Sequence, residues 1–414
     1  MSSPGTPPVS RNPYQNPELF RFVGSMEGVP DWLDPAETPD ETAGRRGWRV
    51  RGHAWLEMGG QLLPGVGLAA LLAWIGTGLA GGLGNAFGLE RSPLSPILMA
   101  IVLGLALRNT LGLPVVFEAG LHLALKRLLR VGVALLGIRL SLGAVGAIGW
   151  SALPIVVASI TTALLFVTWV GRRVGLPAPL ATLIAVGTSI CGNTAIVATG
   201  PAIGANEDET SYAVGCITTF GLLALLFHPF IANGLFGDDP RLVGYFLGTA
   251  IHDTAQVAGA GLLYGQQFGA QQALDVATVT KLLRNLFMVG VIPLMAVLHH
   301  RNHGAAGVAR PRWKDAVPLF VFGFVAMTVL RTIGDAGGDA PFGGLLSADQ
   351  WAGAIDGVST ASTWLLAVAM ASVGLGTHLG RLRKLGFRPL LVGLVAALTV
   401  GTVSAGLLLA GVAG

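Results

Sequence analysis

The feature that most constrains this chain is the recurrence of apolar runs, each about 20 residues long, from Leu62 almost to the C-terminus. They lie near 62–83, 93–113, 128–148, 152–170, 180–205, 211–236, 242–264, 276–298, 316–333, 359–379 and 390–412. A backbone inside hydrocarbon must satisfy its own hydrogen bonds, so runs of this length predict helices that cross a bilayer. Eleven runs predict an all-α polytopic membrane protein of about eleven transmembrane helices. With 52% hydrophobic and only 12% charged residues, the composition excludes an ordinary soluble enzyme.

The net charge of +4 invites a nucleic-acid reading, but the cations sit in short segments between apolar runs. A topology signal explains them better, and no nucleic-acid partner is expected. Placing the N-terminus in the cytoplasm puts about nineteen Lys and Arg on that side, among them Arg108, Arg130, Arg172 and Arg241, against Arg91, Arg139 and Arg331 opposite. The acidic run Glu207-Asp208-Glu209 falls on the opposite side in this scheme. Residues 1–52 are rich in Pro, Asp, Glu and Arg and lack a signal-peptide core, predicting a disordered cytoplasmic tail before a transporter domain at 53–414. Cys191 and Cys216 lie in apolar runs without metal-ligand spacing. The cluster His299, His300 and His303 lacks carboxylates and thiols and reads as a solvated loop; no metal and no cofactor are expected.

The fifth run has a polar, glycine-interrupted centre, Gly187-Thr-Ser-Ile-Cys-Gly-Asn-Thr194, followed by Gly200-Pro201. Small residues can serve close helix packing. The alternative is a discontinuous helix whose broken ends expose backbone N–H groups to a substrate. On that reading Thr188, Ser189, Gly192, Asn193 and Thr194 are candidate substrate-binding residues.

Charge inside a span is costly and marks candidate function. The seventh run holds His252, Asp253 and Gln256, candidates for coupling to a proton. As helical residues, His252 and Gln256 would share a face, with Asp253 about 100° away. The competing reading is a His–Asp pair that only holds helices together. The eighth run brings Lys281, Arg284 and Asn285 onto one face, with Lys281 and Arg284 as candidate anion-binding residues or as cations snorkelling to headgroups. Arg139 reads as an interface anchor, and Thr377-His378 after Gly374 and Gly376 marks a further candidate break.

Two internal echoes stand out. Leu136-Gly-Ile-Arg-Leu-Ser-Leu142 resembles Val373-Gly-Leu-Gly-Thr-His-Leu379, as in transporters built from inverted repeats. The segment from Gly187 to Ala198 is echoed by Gly248-Thr-Ala-Ile-His-Asp-Thr-Ala-Gln-Val-Ala258. Eleven simple crossings make that second pair parallel, which inversion does not explain. Either the sixth run is not one crossing or the echo reflects shared chemistry.

Gly187-Thr-Ser-Ile-Cys-Gly-Asn-Thr-Ala-Ile196, Thr249-Ala-Ile-His-Asp-Thr-Ala-Gln-Val257, Lys281-Leu-Leu-Arg284 and Ala369-Met-Ala-Ser-Val-Gly-Leu375 resemble signature segments of the UPF0324 (YeiH-like) membrane-protein family, also described as a family of sulfate exporters. The resemblance runs from about Leu62 to the C-terminus. It implies a secondary transporter in a bacterial inner membrane, with sulfate as the expected anion and distant kinship to sodium/proton antiporter folds. The chain departs from the family pattern at Asn193-Thr194, where small residues are usual, and at Asp253, where Glu is usual. The expectation is therefore an inverted-repeat carrier of a small anion, coupled to a proton or another ion, with the lipid bilayer as its partner and room for a homodimer. The competing readings are a sodium- or proton-coupled carrier of an organic anion such as a sulfonate or carboxylate, with Asp253 and Asn193 holding the cation, and a membrane-embedded enzyme built on His252 and Asp253. No nucleophile or metal set accompanies those two residues, so an enzyme is not expected.

Overall fold

The computed structural model describes residues 48–87, 92, 94–303, 319–338, 340–378, 380 and 386–412. The expected tail at 1–52 and the basic residues Arg310, Arg312, Lys314, Arg381, Arg383 and Lys384 fall wholly or mostly outside them. Among the described residues the fold is entirely helical, and seven helices are long and apolar enough to cross a membrane.

In chain order the helices are α1 (Trp48–Ala86), α2 (Pro96–Thr110), α3, α4 (Leu142–Arg173), α5 (Ala178–Ser189), α6 (Asn193–Ala202), α7 (Glu207–Phe236), α8 (Pro240–Ala250), α9 (Thr254–Phe268), α10 (Gln272–Leu286), α11 (Met288–His303), α12 (Leu319–Ala336), α13 (Ala348–Gly376) and α14 (Phe387–Leu409). Helix α3 joins Glu118–Leu123, a wide π turn at Ala124–Leu128 and Leu129–Leu135, and closes in the tight 3-10 turn Leu136–Arg139. Its placement corrects the sequence reading. The third apolar run begins at Glu118 rather than Leu128, which moves Lys126, Arg127 and Arg130 from a loop into a helix.

Two of the eleven expected spans fold back on themselves. Gly244 and Gly248 of α8 pack on Val276 and Thr280 of α10, so these helices run parallel. Gly261 and Gly265 of α9 pack on Leu274 and Gln271, so α9 and α10 run antiparallel. Hence α8 and α9 are opposed arms of a hairpin with its tip at Ile251-His252-Asp253. The arms α5 and α6 form a second hairpin: a Cβ at Gly187 would meet the Ile196 side chain across the tip. Helix α6 runs antiparallel to α7, with Asn193 beside Thr218 and Gly200 beside Thr210. Gly221 and Leu225 of α7 meet Gln256 and Gly259 of α9, which makes α7 parallel to α9 and antiparallel to α10.

The two units, α5-α6-α7 and α8-α9-α10, therefore point in opposite directions and meet tip to tip. The echoed segments at Gly187 and Gly248 thus occupy two oppositely directed hairpins. The sixth run is one continuous helix, as Glu207–Phe236 shows. His252 and Gln256 do not share a helix face, because His252 and Asp253 lie in the non-helical tip.

The helices sort into two bundles. Helices α1, α2, α3, α12 and α13 pack together, and α4 to α11 with α14 form the second group; their broadest mutual contacts are α9 against α2 and α13, with α4 touching α12. Glycines let backbones of the first bundle approach closely, as expected where apolar lipid gives helices no hydrophobic drive to associate. A Cβ on Gly65 would sit 2.1 Å from Phe117 O, and one on Gly120 would sit 2.2 Å from Leu62 O. Gly120→Leu is thus expected to destabilise the protein by roughly 1–3 kcal/mol, or more if α1 and α3 separate. Gly78→Ala, which meets open space, should leave the melting temperature in detergent unchanged or slightly raised.

Candidate functional site: the meeting of two hairpin tips

A helix that ends inside a membrane leaves carbonyls at its C-terminus and N–H groups at its N-terminus without partners. Both hairpins create this problem at one place. Helices α5 and α8 end there, and their carbonyl ends are held by two side chains of α10. Lys281 Nζ donates to Ile190 O at 2.8 Å, to Ile251 O at 3.1 Å and to His252 O. Arg284 donates from Nε to Ser189 O at 2.6 Å, from Nη1 to Thr249 O at 2.7 Å and Ile251 O at 3.1 Å, and from Nη2 to Thr188 O. Both side chains are fully buried. All three ammonium N–H groups and four of the five guanidinium N–H groups are thereby occupied. The two cations also lie at the negative ends of two helix dipoles, where positive charge is stabilised. Lys281 and Arg284 come together as the sequence spacing required, but as a brace for the tips.

The opposite dipole ends, α6 and α9, begin at the same place. Asp253 is the N-cap of α9: its Oδ1 accepts from Ala255 N–H at 3.1 Å, and Gln256 Oε1 accepts from Asp253 N–H at 3.2 Å, a capping box. Gln256 is therefore a positioning residue for the tip. The N-cap of α6 is Gly192, with φ 69° and ψ −123°. A Cβ there would lie 2.8 Å from Asp253 Oδ2, so the absence of a side chain lets the carboxylate reach across to the other hairpin. The Asn193 backbone N–H approaches the same carboxylate. One carboxylate thus serves two positive helix ends.

The remaining candidates fall around this junction. Asn193 Nδ2 donates to Thr218 Oγ1 on α7 at 3.1 Å, and Ser189 Oγ donates back to Val186 O at 3.0 Å. Thr188 Oγ1 and both ring nitrogens of His252 are buried with no hydrogen-bond partner among the described residues. Thr194 is half-buried on the first turn of α6. Asn285 Nδ2 donates to Thr254 Oγ1 at 3.2 Å, tying α10 to the first turn of α9.

The sequence reading missed Thr218, although the doublet Thr218-Thr219 before Gly221 in an apolar run was a legible signal. It also missed the buried hydroxyl pair of Thr249 and Ser404, which fixes α8 to α14. Arg139 sits at the end of α3 but pairs with Asp275 of α10, with Nε to Oδ1 at 2.8 Å and Nη2 to Oδ2 at 3.2 Å, joining the two bundles. Helix α13 ends at Gly376, so Thr377 follows a helix end and does not interrupt a span. The side chains of His299, His300 and His303 lie outside the described residues. Among the described residues no group of three or more His, Cys, Asp or Glu is placed to hold a metal.

Known proteins place the chain in context. Residues 66–393 match the family described as conserved hypothetical protein 698. A UPF0324 membrane protein of Agrobacterium fabrum, Atu0671, is 33% identical over 316 residues, covering 76% of this chain and 84% of the relative. A UPF0324 membrane protein of Nitratidesulfovibrio vulgaris is 31% identical, covering 82% and 92%. One from Corynebacterium glutamicum is 33% identical, covering 73% and 81%. These matches embrace both hairpins and α10, and the chain belongs to the UPF0324 family of membrane proteins.

Proposed function

We propose that this protein is a secondary transporter of a small anion, in which the two bundles move against each other around the paired hairpin tips. The observation that carries the reading is that two discontinuous helices from oppositely directed units present their ends at one buried point. A purely structural membrane protein has no need of such breaks, each of which needs dedicated caps. The repeat reading follows: α5-α6-α7 and α8-α9-α10 form an inverted pair, and the hairpins re-enter from opposite faces. With the two hairpins set aside, nine of the eleven runs cross; Arg241 then changes sides and Lys126, Arg127 and Arg130 leave the count, yet fifteen basic residues still face four. This favours a cytoplasmic N-terminus in an inner membrane.

Charge decides between anion and cation as the transported species. Lys281 and Arg284 contribute two fixed positive charges against the single carboxylate of Asp253, so the junction carries net positive charge. Neutralising Asp253 with a proton or a bound cation makes it more positive and strengthens anion attraction. The arrangement thus favours movement of an anion together with its coupling ion. Sulfate is the first anion to test because of the family resemblance.

Asp253→Asn tests the coupling role while keeping the cap of α9. Asn retains one oxygen for the N-cap of α9 but places an NH2 group where Oδ2 faces the start of α6, so the fold should survive with a modestly lower melting temperature. In proteoliposomes, an acid-outside pH gradient should drive sulfate into vesicles holding the native protein. The variant should lose the response to the gradient, with flux down by about tenfold or more. A gradient response that persists undiminished in Asp253→Asn sinks the coupling assignment.

A further inference from the structure

We propose that Arg130 is the residue that holds the transported anion, and that the anion is a small oxyanion seated in the gap between the two bundles. The inference rests on the carrier reading and names the binding group within it. Lys281 and Arg284 are the cations closest to the tips, but their donors are occupied by Thr188, Ser189, Ile190, Thr249, Ile251 and His252 carbonyls. An anion that took those donors would leave the carbonyls of two helices bare in a dry interior, at several kcal/mol each. The binding cation must therefore be another one.

Arg130 meets the requirements. At about 1.5 Å per residue it lies about 18 Å along α3 from Glu118, well inside the helix rather than at its end. It is exposed, although Leu129, Gly132 and Val133 around it are buried. No hydrogen bond or ion pair to its guanidinium is formed among the described residues. An unpaired arginine facing hydrocarbon is too costly to persist, so an exposed one at this depth must face water or a ligand. Arg130 belongs to the first bundle and Asp253 to the second, and the two are close enough for their charges to interact. Arg130 is thus within electrostatic reach of the junction of the hairpin tips. The π turn at Ala124–Leu128, immediately before it, is the kind of irregularity found at functional sites.

The chemistry follows from the side chain. A guanidinium with its planar fork free binds carboxylate, sulfonate or sulfate through two parallel N–H···O bonds. The half-buried Thr194 and the first turn of α6 supply neutral donors from the facing bundle. Asp253 supplies the coupling. While ionised it competes for the field of Arg130; once it takes up a proton or a cation, Arg130 is left to the anion.

Two measurements test this with sulfate as the probe. In the first, Arg130→Cys and Thr194→Cys, the latter keeping Arg130, are each treated with a charged, membrane-impermeant thiol reagent, the parent protein serving as control because Cys191 and Cys216 are both buried. Labelling of both, slowed by added sulfate in Thr194→Cys and no longer slowed once Arg130→Ala is added to it, supports the proposal. Labelling of Arg130→Cys only by a lipophilic maleimide, or labelling of Thr194→Cys that sulfate does not slow, overturns it. In the second, sulfate flux into proteoliposomes is compared for Arg130→Ala, Arg130→Lys and Arg127→Ala. Arg130→Ala should lose flux by about tenfold or more, Arg130→Lys should show a raised KM from loss of the fork, and Arg127→Ala should resemble the parent. Equal flux in Arg130→Ala and the parent overturns the assignment. Absence of flux in the parent tells against sulfate carriage, and the labelling result then decides for or against Arg130 as the anion-binding group.

Discussion

Arg284→Ala is expected to unfold the hairpin junction rather than merely weaken anion binding. The substitution strips donors from Thr188 O, Ser189 O, Thr249 O and Ile251 O, which belong to two different hairpins. It also removes one of the largest fully buried side chains, leaving a void that surrounding helices cannot easily fill. Removing one partner from a buried, charge-assisted network costs about 3–5 kcal/mol. That is a large share of the total stability of a typical fold, about 5–15 kcal/mol. The measurement is thermal unfolding of the purified protein in detergent, followed by size-exclusion chromatography. Arg284→Lys should recover only part of the loss, since an ammonium has three donors at one point and cannot span four carbonyls. If Arg284 were instead an anion-attracting wall, Arg284→Ala would melt with the parent protein and lose only flux. A melting temperature unchanged in Arg284→Ala would refute the brace.

The contrast between Arg284 and Arg130 shows how far the sequence was legible. That Lys281 and Arg284 share one face follows from their spacing, and the structure keeps them together. What they face does not follow, because their acceptors are backbone carbonyls about 30 and 90 positions away, and a backbone carbonyl leaves no mark in a sequence. The break after Ser189 was visible, since Gly192 and its polar neighbours interrupt an apolar run. The break at Ile251-His252-Asp253 was less so: only the Asp253–Gln256 capping box marks it, and it looks like two polar residues on a helix face. Hairpins were hidden for a simpler reason. A run of 23 to 26 residues has the same composition whether it crosses or turns back, and the length of one span suits both. The echo between Gly187 and Gly248 was the available clue, for it contradicted eleven simple crossings. Arg130 was counted with a loop because it stands only two residues inside the run that starts at Leu128, whereas α3 begins at Glu118 and carries it about 18 Å along the helix.

Gly192→Ala should disable the junction while leaving both bundles folded. Gly192 holds φ at 69° with ψ at −123°, where a side chain brings steric strain of about 1–3 kcal/mol. The strain has no local escape, because Gly192 N–H is bonded to Gly187 O at 3.0 Å and its own carbonyl begins α6 by accepting from Ile196 N–H at 3.3 Å. A methyl group would also press on Asp253, 2.8 Å from Oδ2 and 3.2 Å from Cβ. The carboxylate can retreat only by giving up its bond to Ala255 N–H or its approach to Asn193 N–H, and either change uncaps a helix inside the membrane. The damage is confined to the tips, so helical content by circular dichroism should stay at the parent value and the melting temperature should fall only modestly. Gradient-driven sulfate flux should fall as far as in Asp253→Asn, since both changes act on the same carboxylate. The double variant should be no worse than either single one, because residues acting as one unit are not additive. Full flux in Gly192→Ala would mean that the tip tolerates a shifted carboxylate, and that the close approach of the two hairpins at Gly192 is packing without a role in coupling.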